Sequence, residues 1–322
     1  MQSLRLIIAS AFFICAPLAA LNAATGEAAP SATKPAALAA SGASPAAPAE
    51  QGMPQSAQSL GHQGGFVTNS MLVTWMVAVG VILFARFATR KIQEVPSGAQ
   101  NFWEWLVEGL HGFLESIIGP GLVKKTFWFF ATIFIFILAT NWFGLIPGAG
   151  TIGWGHQGEH GFEVTRPLLR AGNADLNMTF AMAMIFFTCW TVWALQFSGV
   201  KGSFLHIFGP KGDSTGVIKY LMIVVFFAVG FLELLSIAFR PVSLSFRLYG
   251  NMFAGENLLE AMSNMVQHPA WAKVVFGALL PVPFYFMELL VGFIQAMVFM
   301  LLTSVFTALI CTHEEEAGEG HH

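Results

Sequence analysis

The chain has 322 residues, of which 55% are hydrophobic and only 10% charged, with a formal net charge of −3. A soluble domain carries about 25% charged residues, and here the few charges cluster and leave long apolar stretches between them. That excludes an ordinary soluble enzyme and indicates an all-α polytopic membrane protein; no basic patch or stacking motif points to nucleic acid.

The chain begins Met1-Gln2-Ser3-Leu4-Arg5, continues with an apolar run over 6–21, and then reaches Asn22-Ala23-Ala24. A short basic start, an apolar core and small residues mark a signal peptide over 1–24; an uncleaved membrane anchor is the alternative. Residues 25–65 are rich in Ala, Pro, Ser and Gly. They have too few large apolar groups to offset chain entropy, so a disordered exported tail is expected.

A membrane domain is expected over 66–312. Its first span covers 66–84 and ends in Arg86, Arg90 and Lys91. Over 96–118, Trp103, Leu106, Leu110, Phe113 and Ile117 recur at helical spacing opposite Glu104, Glu108 and Glu115. That pattern is an interfacial amphipathic helix. Lys124 and Lys125 precede a second span over 127–146, closed by Pro147-Gly148, and residues 149–172 read as a Gly-rich loop. A third span covers 176–197, and a polar loop follows over 199–214.

The stretch 216–265 is apolar and helix-compatible throughout. At ~1.5 Å per residue it would reach roughly 75 Å, against a bilayer core of about 30 Å. It must be strongly tilted, kinked at Pro241, or partly parallel to the membrane plane. The final run, 271–310, is also too long to stand upright, and Pro281 and Pro283 break its first part. Residues 313–322, with Glu314-Glu315-Glu316, form an acidic tail. The expected fold is thus five membrane helices, the last two long and strongly tilted, plus the amphipathic one.

With the mature N-terminus outside, Arg86, Arg90, Lys91, Lys124, Lys125, Lys201, Lys211 and Lys219 all fall inside. Arg166, Arg170 and Lys273 fall outside. The positive-inside rule therefore agrees with the signal peptide, from separate residues. Cys15, Cys189 and Cys311 lie far apart, with no metal or redox spacing. His156, His160, His313, His321 and His322 read as solvated loop and tail residues. No metal site and no cofactor motif is indicated.

The last two long helices contain Glu233, Arg240, Arg247, Glu256, Glu260 and Glu288, joined by Asn251 and Gln295. Arginine cannot shed its charge by losing a proton at ordinary pH, and a cation at bilayer depth costs several kcal/mol, so Arg247 is a functional candidate by default. Glu233, Arg240 and Arg247 repeat at intervals of nearly two turns and share a face, and Asn251 lies one turn beyond Arg247. Glu256, at ~100° per residue, falls on the opposite side of an unbroken helix, and Glu260 shares that side. Glu288 and Gln295 share a face of the last helix. The pattern describes two polar routes of different azimuth with Arg247 between them. Structural alternatives are a Glu233–Arg240 pair with Arg240 snorkelling, and a buried ion pair of Arg247 with Glu256 or Glu288.

The run Pro241-Val242-Ser243-Leu244-Ser245-Phe246-Arg247-Leu248-Tyr249-Gly250-Asn251-Met252-Phe253-Ala254-Gly255-Glu256 closely resembles subunit a of the F-type ATP synthase membrane sector. Three further segments resemble the same family: Asn141-Trp142-Phe143-Gly144-Leu145-Ile146-Pro147-Gly148, Ala174-Asp175-Leu176-Asn177-Met178-Thr179, and Gln295-Ala296-Met297-Val298-Phe299. The resemblance runs in order over 66–312. It implies a stator subunit, with no catalytic site of its own, that offers two offset proton half-channels to a ring of c subunits. Arg247 then matches the essential arginine between the channels. Asn251, Glu256 and Gln295 match outer-channel residues, Glu288 stands where many relatives have histidine, and Asp175 matches an outer-loop acid. Glu233 matches an inner-channel acid, with Ser236 and Ser243 as small polar neighbours. The signal peptide, the Ala/Pro tail and Glu260 depart from the pattern, and Glu260 is expected to extend the outer channel. The implied partners are the c ring, the b-subunit peripheral stalk, the rest of the ATP synthase and the lipid bilayer. The implied location is a bacterial inner membrane, with the mature N-terminus periplasmic and the C-terminus cytoplasmic.

Competing readings fit less of the sequence. A self-contained channel or transporter would favour internal repeats, and none is visible. A pure scaffold leaves the arginine and its acids without purpose. An intramembrane enzyme lacks an HExxH or GxSxG motif.

Overall fold

The computed structural model describes residues 67–146, 152–158, 161–208, 217–263, 265 and 270–318. The expected signal peptide and exported tail lie outside the described residues. The elements in chain order are α1 (Asn69–Ala88), α2 (Ala99–Gly144), β1 (Gly153–Gly158), β2 (Gly161–Pro167), a 3-10 turn (Gly172–Ala174), α3 (Leu176–Phe208), α4 (Val217–Ser263), α5 (Ala270–Leu279) and α6 (Pro281–Gly318). Among the described residues five helices, α1, α2, α3, α4 and α6, are long and apolar enough to cross a membrane. The fold is an all-α polytopic membrane protein.

The amphipathic segment and the second span form one helix interrupted by a kink. Gly119 has φ 78° and ψ 161°, outside helical geometry, and Pro120 follows it. A positive φ favours glycine, and proline cannot bond back to the preceding turn. The pair redirects the chain from its half-exposed first part into the span. Of the apolar positions named from the periodicity, Trp103 and Leu110 are buried and Leu106, Phe113 and Ile117 half-buried, with Leu114 and Ile118 also buried; of the opposed acids, Glu108 and Glu115 are exposed and Glu104 half-buried. Beyond the kink, residues 129–137 are buried on every side. This span packs against α1 and α6, and its Phe129 and Phe130 rings meet Phe186 and Trp193 of α3.

Two expectations about loops change, and a segment left without an expected structure proves helical. The segment read as a plain loop over 149–172 contains an antiparallel hairpin of β1 and β2, with a register shift between Trp154 and Gly155. The polar loop expected from residue 199 begins later, because α3 stays helical to Phe208; Lys201, Ser203 and His206 are compatible with a helix, so composition alone placed the end too early. The acidic tail likewise starts as helix, since α6 runs to Gly318.

The long helix α4 has 47 residues and runs through Pro241 as one element. At ~1.5 Å per residue it is about 70 Å long, far more than an upright crossing of a ~30 Å core needs. Of the five spans it is the least covered by the rest of the chain. The break expected at the prolines is present: α5 ends at Leu279, and Pro281 opens α6 in the first-turn position that proline suits.

Candidate functional site

The two faces of α4 differ as the azimuths predict. Arg247 is exposed, on a stripe with Ser236, Phe239, Ser243, Phe246 and Gly250, spaced three or four residues apart. Arg247 makes no hydrogen bond or ion pair with the described residues. On the other side Leu244, Ser245, Leu248, Met252, Gly255 and Glu256 are buried. The alternative in which Arg247 pairs with Glu256 or Glu288 is therefore not what the chain adopts. A parallel exposed stripe on α6 includes Val282, Phe286, Leu290 and Ile294.

Behind Arg247, the Asn251 Nδ2 donates to Gln295 Oε1 at 2.7 Å and ties α4 to α6. Further along α4, Glu256 is 9% exposed, and Glu288 on α6 is 3% exposed. The Glu288 carboxyl lies directly against Gly255, where a Cβ would coincide with it. Glycine at 255 is what lets the α6 carboxyl approach the α4 backbone beside Glu256. Glu260 is half-buried one turn on. Glu256 Oε2, Glu260 Oε2 and Glu288 Oε1 are enclosed, and none has a hydrogen-bond partner among the described residues. Buried polar atoms are nearly always hydrogen-bonded, so three enclosed carboxyl oxygens without a partner among the described residues set this cluster apart.

Glu256 does face a cation, one that sequence reasoning placed among the outside loop charges. Arg170 Nε lies 3.9 Å from Glu256 Oε2, and both side chains are buried. The Arg170 Nη2 also donates to the Ala174 carbonyl at 3.3 Å, and the Ala171 backbone amide lies beside the Glu256 carboxyl. A hint was present in the flanking Ala171-Gly172-Asn173-Ala174: such small residues allow a segment to pack tightly. Gly172 does, since a Cβ there would come within 2.8 Å of Thr74 Oγ1.

Asp175 sits at the same end of the bundle. Its Oδ1 accepts from the Asn177 amide at 3.1 Å and caps α3, while its Oδ2 accepts from Ser70 Oγ at 2.7 Å. A cap on a helix N-terminus is a good place for a carboxylate, so Asp175 has structural bonds on both oxygens. Two asparagines missed by the sequence reading complete this end. Asn173 Nδ2 donates to Asn141 Oδ1 at 2.6 Å, and Asn141 Nδ2 donates to the Gly292 carbonyl at 3.0 Å. They link the 3-10 turn, α2 and α6. Ser245 on α4 and Thr179 on α3 share a hydroxyl bond of 3.2 Å.

Glu233 lies toward the opposite end of α4 and is half-buried. It forms no ion pair with Arg240 among the described residues. Arg240 instead places its guanidinium over the rings of Phe306, at 4.3 Å, and Trp190, at 5.7 Å. Trp190 Nε1 donates to the Phe306 carbonyl at 3.2 Å, which locks the two aromatic groups of α3 and α6 together. The acids therefore fall into two groups: Glu256, Glu260 and Glu288 converge, while Glu233 stands apart.

Residues 71–308 match the family model described as ATP synthase A chain. The chain is 32% identical over 256 residues to ATP synthase subunit a of Desulforamulus reducens, covering 79% of this chain and 81% of that protein. It is 33% identical over 248 residues to ATP synthase subunit a 3 of Pelobacter propionicus, covering 76% and 88%. It is 29% identical over 258 residues to ATP synthase subunit a of Mycobacterium bovis, covering 79% and 90%.

Proposed function

This chain belongs to the ATP synthase A chain family, and we propose that it provides the two half-channels by which protons reach and leave the carboxyl groups of a c-subunit ring, with Arg247 between them. The observation that carries the proposal is the disposition of charge on α4. One cation is exposed and free of protein partners among the described residues, while the acid nine residues later is buried on the other side of the same helix. An unpartnered guanidinium at membrane depth is costly, so its natural counter-charge is an anion presented by a neighbouring subunit.

In this reading a proton enters from the outer side through Glu288, Glu256 and Glu260, with Asn251 and Gln295 fixing the two helices at the inner limit of that path. It neutralises a ring carboxylate, which can then face lipid, because only the ionised form is expensive to desolvate. Rotation brings a protonated site to the inner path beside Glu233, with Ser236 and Ser243 as small polar neighbours. There the proton leaves. The ionised site next passes Arg247, which favours its charge and cannot itself relay a proton. A transmembrane potential supplies about 2.3 kcal/mol per charge per 100 mV to this cycle. The exposed stripes on α4 and α6 supply the surface for the ring, and the length of both helices suits a tilted course against a cylinder.

The same reading places the chain in a bacterial inner membrane with the Asp175 end periplasmic, the C-terminus cytoplasmic, and the b-subunit stalk among its partners. Asp175 remains part of the outer region as the cap that holds α3 and α1 in place.

The test is replacement of Arg247 in the assembled complex, studied in inverted membrane vesicles. Arg247→Lys keeps charge but loses the planar fork, and coupled ATP synthesis is expected to be abolished with the complex still assembled. Arg247→Ala is expected to go further and let protons leak passively. Retained synthesis in the first, or a tight membrane in the second, would overturn the assignment.

A further inference from the structure

We infer that Arg170 is a positioning residue for the outer proton path: it anchors the Glu256 carboxyl at the mouth of that path and offsets one negative charge of the three-acid cluster. This rests on the reading of Glu256 and Glu288 as outer-path groups.

Arg170 follows the β hairpin and precedes the 3-10 turn, a segment that sequence alone assigns to solvated loop. Its side chain is nonetheless buried, 1% exposed, facing a Glu256 side chain 8% exposed. Burying a guanidinium in a loop is expensive unless a carboxylate and further acceptors meet it. Glu256 and the Ala174 carbonyl do so. The Ala171 amide, next in sequence, lies beside the same Glu256 carboxyl, so two consecutive residues of one segment border a single group. A merely structural salt bridge would leave Glu256 fully engaged. Here the Nε–Oε2 separation is 3.9 Å, and Oε2 accepts no hydrogen bond among the described residues. The cation is near enough to steady the carboxyl and far enough to leave an oxygen open to a proton.

Among the side chains the structure describes, the charged groups at this end are Glu256 and Glu260 on α4, Glu288 on α6, Asp175 at the start of α3, and Arg170 itself. Asp175 is committed to Ser70 and to the cap of α3. Among the described residues Arg170 meets Glu256, one of three carboxyl groups with an open oxygen at this end. A proton can move among them while Arg170 offsets one negative charge throughout.

The experiment uses the assembled complex reconstituted in liposomes, with turnover expressed per assembled complex and measured against the proton concentration on the outer side. Arg170→Gln is expected to lower turnover about ten-fold, the scale of one lost charge-assisted contact, and to change the proton concentration giving half-maximal rate. Arg170→Lys is expected to restore part of both. Normal turnover with an unchanged half-maximal proton concentration in Arg170→Gln overturns the inference. Should Arg170→Gln not assemble, Arg170→Lys decides: a point charge replacing the fork must alter the half-maximal value, and an unaltered one overturns the inference. Arg247→Ala in the same liposomes separates the two levels. If it pumps normally, the half-channel reading itself fails; if it does not pump while Arg170→Gln pumps at the normal rate with an unchanged half-maximal proton concentration, only the role of Arg170 fails.

Discussion

Asn251 on α4 donates a 2.7 Å hydrogen bond to Gln295 on α6, one helical turn from the exposed Arg247. The bond spans the two helices that carry every acid of the proposed outer path. It fixes their mutual rotation where Arg247 and Glu288 must stay on different sides of α4. Interhelical hydrogen bonds inside membranes average only about 0.6 kcal/mol, so the pair matters for alignment more than for stability.

Asn251→Ala and Gln295→Ala are expected to lower ATP-driven proton pumping in inverted vesicles, each several-fold. The double variant should lose less than the product of the single effects, because both remove one contact. Fully multiplicative losses would show that the two side chains act independently.

Gly255 supports a sharper expectation. A Cβ at this position would meet the Glu288 carboxyl, while alanine improves helix propensity by about 1 kcal/mol. Gly255→Ala should therefore leave α4 and the complex intact and slow proton uptake by displacing Glu288. Glu288→Asp retracts the carboxyl by one methylene, so the double variant Gly255→Ala/Glu288→Asp should pump better than Gly255→Ala alone. Pumping rates of the two, compared at equal amounts of complex, decide the matter; a double variant slower than the single one contradicts the steric explanation.

Much of this arrangement was legible in the residues. Nine steps of ~100° carry the chain to the far side of a helix, and Arg247 exposed with Glu256 buried is that arithmetic realised. The break before Pro281 and the amphipathic character of residues 99–118 follow from local chemistry in the same way. Arg170 was not legible. Its partner lies 86 residues downstream, and periodicity describes one helix at a time, so a loop cation defaults to solvent. Arg240 was half legible: its position beside Glu233 suggested an ion pair, but the acceptors it found are the π faces of residues on α3 and α6. The hairpin of β1 and β2 escaped because Gly-rich polar segments carry no strong alternation.

Arg240 supplies a test of that aromatic seat. Stacking over Phe306 at 4.3 Å is a cation–π contact, worth about 0.5–2 kcal/mol depending on desolvation. A guanidinium stacks on rings as a plane and an ammonium does not. Arg240→Lys and Phe306→Leu should each reduce the heat resistance of the detergent-solubilised complex by a similar amount, and together by less than the sum. If Arg240→Lys changes nothing, the contact contributes no stability and Arg240 merely snorkels.

The last expectation concerns Asn141, buried with 0% exposure between the 3-10 turn and α6. It accepts from Asn173 and donates to the Gly292 carbonyl, and a Cβ at Gly292 would stand 3.2 Å from the Asn141 Cβ. The two helices thus approach closely, and α6 gains an acceptor contact within one turn of Glu288. Asn141→Leu removes both bonds and leaves the Asn173 amide short of its 2.6 Å acceptor, which costs about 1–3 kcal/mol for a buried polar group. Asn141→Asp keeps an acceptor for Asn173 but turns a carboxyl oxygen toward the Gly292 carbonyl, so it should be no better. Gly292→Ala crowds the same contact while sparing both hydrogen-bonding groups, and a milder loss is expected from it. The amount of this chain retained in the membrane with its complex should fall in the order wild type, Gly292→Ala, then the two Asn141 variants. Wild-type levels of Asn141→Leu would mean that packing alone holds α2 to α6.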